Sequence, residues 1–259
     1  MLNLEQIKML KRLGIIAFFF LIGVLIISAV NEKKASSATE ILIDIEQLEV
    51  GRSMINREDV LRILDNAFGY SLTAVPIGGL DVERVERVLR SDAFVKEARV
   101  YIDANNKIHI ELTQREPILR IVDKNGLTYY LDREGGKVPV SKHYSPRVLV
   151  ATGNIPPFDR DYLDKKQHIV KDLYLLTQRI LKDEFLEPMI EQLYVSKNEG
   201  YQLIPNIGDQ KIIFGKMDRL EEKILFLKNF YKEALPYKGW QKYKTINLTF
   251  KGQVVAKKK

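Results

Sequence analysis

Ala98-Arg-Val-Tyr-Ile-Asp-Ala-Asn-Asn-Lys-Ile-His-Ile-Glu-Leu-Thr113 is the stretch whose reading decides the fold. Ala98, Val100 and Ile102 alternate with Arg99, Tyr101 and Asp103, and Ile108, Ile110 and Leu112 alternate with His109, Glu111 and Thr113. A period of two sets all six apolar side chains on one face of an extended chain, and Asn105-Asn106 supplies a turn between the two runs. The segment therefore predicts a hairpin with one buried and one wet face. His109 falls on the wet face.

Toward the N-terminus, two helices precede the hairpin. Asp81 is positioned to cap a helix whose Val82, Val85, Val88 and Leu89 form an apolar stripe. Before the Pro76 and Gly78-Gly79 turn, Asn56 and Asp59 make a capping box for a helix carrying Val60, Leu64, Ala67 and Phe68 as far as Gly69. Ahead of both, Ile41 to Leu48 alternates as a strand. The order β-α-α-β-β over 41–113 predicts a small α+β module with its helices on one side of its sheet.

Beyond Pro117 the pattern becomes short strands separated by turns: 118–122, 127–131, 138–140, 148–151, 193–195, 201–204 and 211–214. Two helices interrupt them. One runs from Tyr162 to Leu181; the other starts with Asp218 as its cap, carries Leu220, Ile224, Leu227, Tyr231 and Leu235, and stops at Pro236. A final strand spans Thr245 to Val255. No repeat or low-complexity tract occurs. The fold class expected is α+β, with a β-rich domain of two helices ending in exposed strands.

Leu13 to Val30 contains no charge, and 18 residues at ~1.5 Å each reach roughly 27 Å, enough to cross a bilayer once. Lys8, Lys11 and Arg12 precede the stretch, while Lys33 and Lys34 after it are offset by Glu32, a bias that favours a cytoplasmic N-terminus. The rival reading is a cleaved secretory signal, for which Ser36-Ser37-Ala38 offers small residues. The apolar run exceeds the usual ~7–15 residues of such signals, which favours a retained anchor. The expected parts are a cytoplasmic tail (1–12), a span (13–30), a stem (31–40), the first module (41–113), the β domain (114–256) and a basic tail (257–259).

The chain of 259 residues has no cysteine, which excludes disulfides, thiolate metal sites and cysteine nucleophiles. Its net charge of +7 lies at one end: from Lys216 to Lys259 twelve Lys or Arg stand against four Asp or Glu. Such a surface suits an acidic partner, anionic lipid or cell-wall polymer, and equally serves as a solvated face.

Catalytic patterns are missing. His109, His143 and His168 show no metal-ligand spacing, and neither Gly-x-Ser-x-Gly nor Ser-x-x-Lys occurs. Glu83 with Glu86, and Asp161 with Asp164, read as salt-bridged helix faces. Gly78-Gly79 and Gly135-Gly136 read as turns, since neither has the helix and lysine a phosphate loop needs. Asn247-Leu248-Thr249 matches a glycosylation sequon that occurs often by chance. No catalytic residue, metal or cofactor is expected. What remains is an interaction surface: a terminal strand whose unpaired backbone is a template for strand addition, with aromatic anchors beside it.

Several of these stretches carry a resemblance. Asp92-Ala-Phe-Val-Lys-Glu-Ala-Arg-Val100 and Ile108-His-Ile-Glu-Leu-Thr-Gln-Arg-Glu-Pro117 resemble the junction and closing strand of the polypeptide-transport-associated (POTRA) module of FtsQ/DivIB bacterial cell-division proteins. Tyr129 to Gly135, Pro139, Pro146 to Val150 with Gly153, Lys211 to Gly215 with Lys223, and Ile246 to Phe250 with Gly252 resemble that family's β domain. The order along nearly the whole chain is similar too, though the cytoplasmic tail is very short.

The resemblance implies a non-enzymatic scaffold of the inner membrane and division septum, with the bulk of the chain periplasmic. Its implied partners are other membrane proteins of the divisome, chiefly the small single-pass proteins FtsB and FtsL, and no nucleic acid. It would link cytoplasmic ring components to septal peptidoglycan synthesis and regulate it. The candidate contact residues are Tyr231, Trp240, Tyr243, Ile246, Leu248, Phe250, Gly252 and Val254, and the edge near Ile41 to Leu48 is a second candidate surface. The alternatives are a membrane-tethered cell-wall enzyme and an envelope assembly factor that uses the POTRA module.

Overall fold

A computed structural model describes residues 4–49, 51–208, 210–239 and 242–259. The chain divides into two compact units, one up to Gln114 and one from Arg115 onward.

The first unit opens with α1 (Leu4–Ala35), a single helix of 32 residues. Its stretch Leu13–Ala35 is long and apolar enough to cross a membrane, with large apolar side chains such as Phe20 facing outward. The stem is therefore not separate: the helix runs unbroken through residues 31–35, and only 36–39 lead to the first strand. There follow β1 (Glu40–Ile45), α2 (Arg57–Phe68), α3 (Val82–Arg90), β2 (Val95–Ile102) and β3 (Lys107–Gln114).

The sheet order is β1-β3-β2, with β1 parallel and β2 antiparallel to β3. Val60, Leu64, Val85 and Leu89 of the helices share one core with Ile41, Ala98, Val100, Ile108, Ile110 and Leu112. Asn56 and Asp59 form the expected capping box, a left-handed Gly69 ends α2, and Asp81 caps α3. The buried Gln114 closes the unit. Its Oε1 accepts from the Met54 N–H at 2.7 Å and the Ile55 N–H at 3.3 Å, and its Nε2 donates to the Glu46 carbonyl at 2.7 Å. A buried amide so fully partnered costs little and fixes where the strand ends.

The second unit is a nine-stranded mixed sheet in the order β12-β11-β10-β9-β8-β7-β4-β5-β6. The strands are β4 (Pro117–Val122), β5 (Thr128–Asp132), β6 (Lys137–Val138), β7 (Leu149–Gly153), β8 (Ile190–Ser196), β9 (Gly200–Pro205), β10 (Lys211–Gly215), β11 (Tyr243–Asn247) and β12 (Val255–Lys258). Helices α4 (Ile169–Leu181) and α5 (Leu220–Asn229) supply Val170, Leu173, Leu176, Ile180, Ile224 and Leu227 to one core with the strands.

Four local expectations are corrected. First, α4 begins at Ile169, not Tyr162, because Asp159 and Asp161 fold 159–164 into turns and His168 caps the helix through Nδ1, which accepts from the Val170 N–H. Asp161 and Asp164 thus lie in a turn, off any helix face. Second, Asp218 does not cap α5. Its carboxylate binds Lys223 at 2.6 Å, and the residue before the helix is Arg219, in a left-handed conformation with φ +49°.

Third, Pro236 does not end the helical run. A π turn at Phe230–Ala234 leads into α6 (Leu235–Lys238), whose first turn holds Pro236 where no intrahelical N–H is needed. Two successive steps of four residues, from Leu227 through Tyr231 to Leu235, would drift by about 40° each in an α-helix, and the wider π turn absorbs that drift. All three side chains stay in the core. Fourth, the terminal strand is two strands, β11 and β12, joined by a turn, and Lys257 and Lys258 belong to β12 rather than to a tail.

Candidate partner-binding edge

The turn that splits the terminal strand starts at Asn247. Its Oδ1 accepts from the Thr249 N–H at 2.9 Å and the Thr249 hydroxyl at 2.7 Å, the Asx-type bond that competes with continued strand. The sequon residues Asn247 and Thr249 are thereby joined to each other. The Leu248 N–H reaches the Ile213 carbonyl at 2.9 Å, the Arg219 guanidinium donates to the Thr249 carbonyl at 2.8 Å, and the Gly252 N–H donates to Glu222 at 3.1 Å. Gly252 sits at φ +72°, where a side chain is disfavoured. The turn is pinned to β10 and α5, and the chain returns as β12.

β12 pairs with β11 through Val255↔Asn247, Ala256↔Ile246, Lys257↔Thr245 and Lys258↔Tyr243. Nothing lies on its other side in the sheet among the described residues. The Lys259 N–H points to the Lys242 carbonyl at 3.1 Å. Backbone direction alternates along a strand, so the N–H and C=O of Ala256 and Lys258 face away from β11. Between 242 and 259 the chain carries six lysines and no carboxylate side chain. Val255 and Phe250 are exposed beside them.

The eight candidate residues divide. Phe250 is 47% exposed at the turn, Gly252 lies in the same turn, and Val254 and Tyr243 are half-buried at the margin, Tyr243 edge-on to Phe230 at 5.6 Å. Tyr231, Ile246 and Leu248 are core residues. Tyr231 accepts a hydrogen bond from Gln210 at 3.0 Å, and burial pushes its phenol up to about 12. These three support the edge from beneath and offer a partner no surface. Trp240 lies outside the described residues.

Lys223 anchors the helix behind this edge. It is buried, donates to the Lys216 carbonyl at 2.7 Å and to Asp218, and lies 4.9 Å over the Phe214 ring. Its hydrogen bond holds the Asp218 carboxyl below the usual range. A buried ammonium needs such full partnering.

The three histidines are kept apart in local roles. His109 stacks on Tyr101 at 4.7 Å and meets Asp103 at 3.1 Å, the His143 N–H donates to Ser141, and His168 caps α4. No three of His, Asp and Glu converge as metal ligands among the described residues.

One feature escaped the sequence reading. Glu86 reads in sequence, with Glu83, as part of a salt-bridged helix face, but Glu86 accepts the Val100 N–H at 2.9 Å and Arg90 donates to the Ala98 carbonyl at 3.2 Å. Together they fill outward backbone groups of β2, the edge strand of the small sheet. No sequence signal distinguishes this pair from the neighbouring Glu83 and Arg87, which face each other on the same helix.

Comparison with known families matches both units. The model described as FtsQ/DivIB, C-terminal related, covers residues 116–257, more than half of the chain, and a POTRA-like domain covers 36–113. No curated protein matches the chain. With an apolar N-terminal helix, a POTRA-like module and that C-terminal domain in this order, the chain belongs to the FtsQ/DivIB family of cell-division proteins.

Proposed function

We propose that this protein is a bitopic, non-catalytic scaffold of the division septum whose β12 receives a strand from small single-pass partners of the FtsB and FtsL type. Its N-terminus lies in the cytoplasm and both folded units lie in the periplasm. It thereby links cytoplasmic ring components to septal peptidoglycan synthesis and regulates it.

The observation that carries this reading is the open outer side of β12, flanked by Phe250, Val255 and an all-basic run of side chains. Backbone pairing supplies affinity in strand addition, and the lysines steer an acidic segment toward the edge. Retention of the anchor is supported by residues 36–38. Ile77 donates to the Ser36 carbonyl at 2.9 Å and Ala38 is buried, so the segment read as a cleavage site is folded into the first unit.

The test is co-purification from membranes of the native chain against Ala256→Pro, with captured proteins identified by mass spectrometry. Proline removes the outward N–H of Ala256 and leaves the ladder to β11 in place. Loss of small single-pass coiled-coil proteins from the variant, with unchanged melting, is expected. Equal recovery with both chains would move the contact to the POTRA-like unit or the span.

A further inference from the structure

The end of α1 is clamped from two sides by loops of the POTRA-like unit. On one side is the β2–β3 hairpin tip. Lys33 Nζ donates to the Ala104 carbonyl at 3.3 Å, Asn106 Nδ2 donates to Ser36 Oγ at 2.9 Å, and the Thr39 N–H reaches the Asn106 carbonyl at 2.9 Å. The tip is itself rigid, because Asp103 Oδ1 accepts from the N–H groups of Asn105 at 2.8 Å and Lys107 at 2.9 Å.

On the other side is the 3-10 turn Ile77–Gly79. Ser37 forms a bridge with Pro76, and a Cβ placed on Gly78 would lie 2.9 Å from Lys34 Cβ and 3.0 Å from the Lys34 carbonyl oxygen. Only glycine lets the turn come so near the helix. Ser36 Oγ donates back to the Lys33 carbonyl at 2.6 Å and closes the helix end. There is no free linker between helix and module.

Height along α1 follows from helix geometry. Lys33 and Lys34 are three and four residues past Val30, about 5–6 Å beyond the end of the uncharged stretch. The polar layer of a bilayer adds roughly 5–8 Å outside the hydrocarbon on each side. A turn in van der Waals contact with Lys34 therefore lies within that layer. We propose that this joint lays the hairpin tip and the Ile77–Gly79 turn on the phospholipid headgroups, so that the membrane helix and the POTRA-like unit form one rigid body resting on the lipid surface.

The surface offered fits that occupant. Ala104 and Asn105 are exposed at the tip, Lys33 and Lys34 are exposed beside it, and the Asp103 carboxylate is turned inward to its own loop and His109. The proposal rests on α1 being a membrane anchor but not on which face of the membrane the unit occupies.

The absence of cysteine allows single labels. Full-length chains carrying Ala104→Cys or Glu97→Cys, each spin-labelled, are assembled into phosphatidylcholine nanodiscs containing a nickel-chelating lipid. Glu97 lies about 20 Å from the tip along β2. Co-elution of protein with the disc is read first, and its failure removes the anchor and the proposal together.

Relaxation by headgroup nickel several-fold stronger at position 104 than at 97 is expected, and equal relaxation overturns the proposal. In a second pair of chains a glycine-serine insert separates Ala35 from Ser36, with folding checked by the melt of the unit. The contrast between the two positions should then collapse. A contrast that persists would mean the loops bind lipid without the joint, which also overturns it.

Discussion

The two sheets of this chain treat their edges in opposite ways. At β2 the amide of Val100 and the carbonyl of Ala98 are occupied by side chains from α3, whereas at β12 the outward groups of Ala256 and Lys258 meet no strand among the described residues. Both are edge strands with lysine or arginine nearby. The difference teaches that charge along an edge does not decide whether it is available. What decides is whether a neighbouring helix presents an acceptor and a donor at the spacing of the strand's own backbone.

The largest effect expected separates β12 from the strand behind it. A chain ending at Pro236 loses Ile246 and Leu248 from the core as well as the edge, and burial of two such side chains is worth about 2–5 kcal/mol each. Its second unit should lose its cooperative thermal transition while the POTRA-like unit keeps its own. Were the second unit to melt normally, β11 would be as dispensable as β12 and the proposed edge would have to be redrawn.

A smaller effect tests the closed edge. Glu86→Ala leaves the buried Val100 amide without its acceptor, which should cost about 1–3 kcal/mol, and it exposes β2 to pairing. Glu86→Gln keeps an acceptor and should restore stability and remove any self-association that Glu86→Ala introduces. Urea titration and sedimentation of the two variants give the answer; indistinguishable variants would show that the contact does not guard the edge.

The smallest effect contrasts the two units by pH. In the second unit burial raises the phenols of Tyr129, Tyr162, Tyr174 and Tyr201, and pushes Tyr231 up to about 12; in the first unit Tyr101 alone is raised, among the described residues. A raised folded-state pKa contributes stability that is complete below the ordinary value near 10 and is lost as pH rises through the folded value.

Acid acts in the opposite sense through the lowered carboxyls. Hydrogen bonds from Lys223 and Arg179 hold down Asp218 and Glu221. At Asp183 burial pushes upward but is outweighed by Lys228 and the backbone amides of Phe185 and Leu186. The stability these groups contribute is present above their ordinary values and lost as pH falls through the folded ones. The melting temperature of the second unit should therefore fall further than that of the first both above pH 10 and below pH 4, by fluorescence and circular dichroism; equal retreat of the two units would count against this.

Most of the first unit was legible because its signals are local. Asn56 with Asp59, Gly69, Asp81 and the alternation from Ala98 to Thr113 each act within a few residues, and each does in the structure what its chemistry suggests. The second unit was legible as α+β with most strands in place. Its errors fall where one local interaction outbids another: Asp218 binds Lys223 five residues on instead of capping, a π turn carries the helix past Pro236, and the Asn247 side chain turns the terminal strand at Thr249.

The terminal region proposed as the site was legible as strand, but which of its side chains reach the surface was not. Aromatic and apolar residues of the terminal region look alike in sequence whether they point inward like Ile246 and Leu248 or outward like Phe250. Only the register of β11 against β10 and β12 sorts them. The Glu86 and Arg90 contacts were illegible for the same reason, since their value depends on where β2 passes.

The unbroken passage of α1 into its clamp has a consequence of direction. A shaft fixed to its head has no swivel, and successive residues on α1 point about 100° apart around it. Whichever stripe of the shaft a neighbouring span packs against then sets the compass bearing of the small sheet and of its two edges, β1 and β2. Packing chosen inside the bilayer becomes heading outside it.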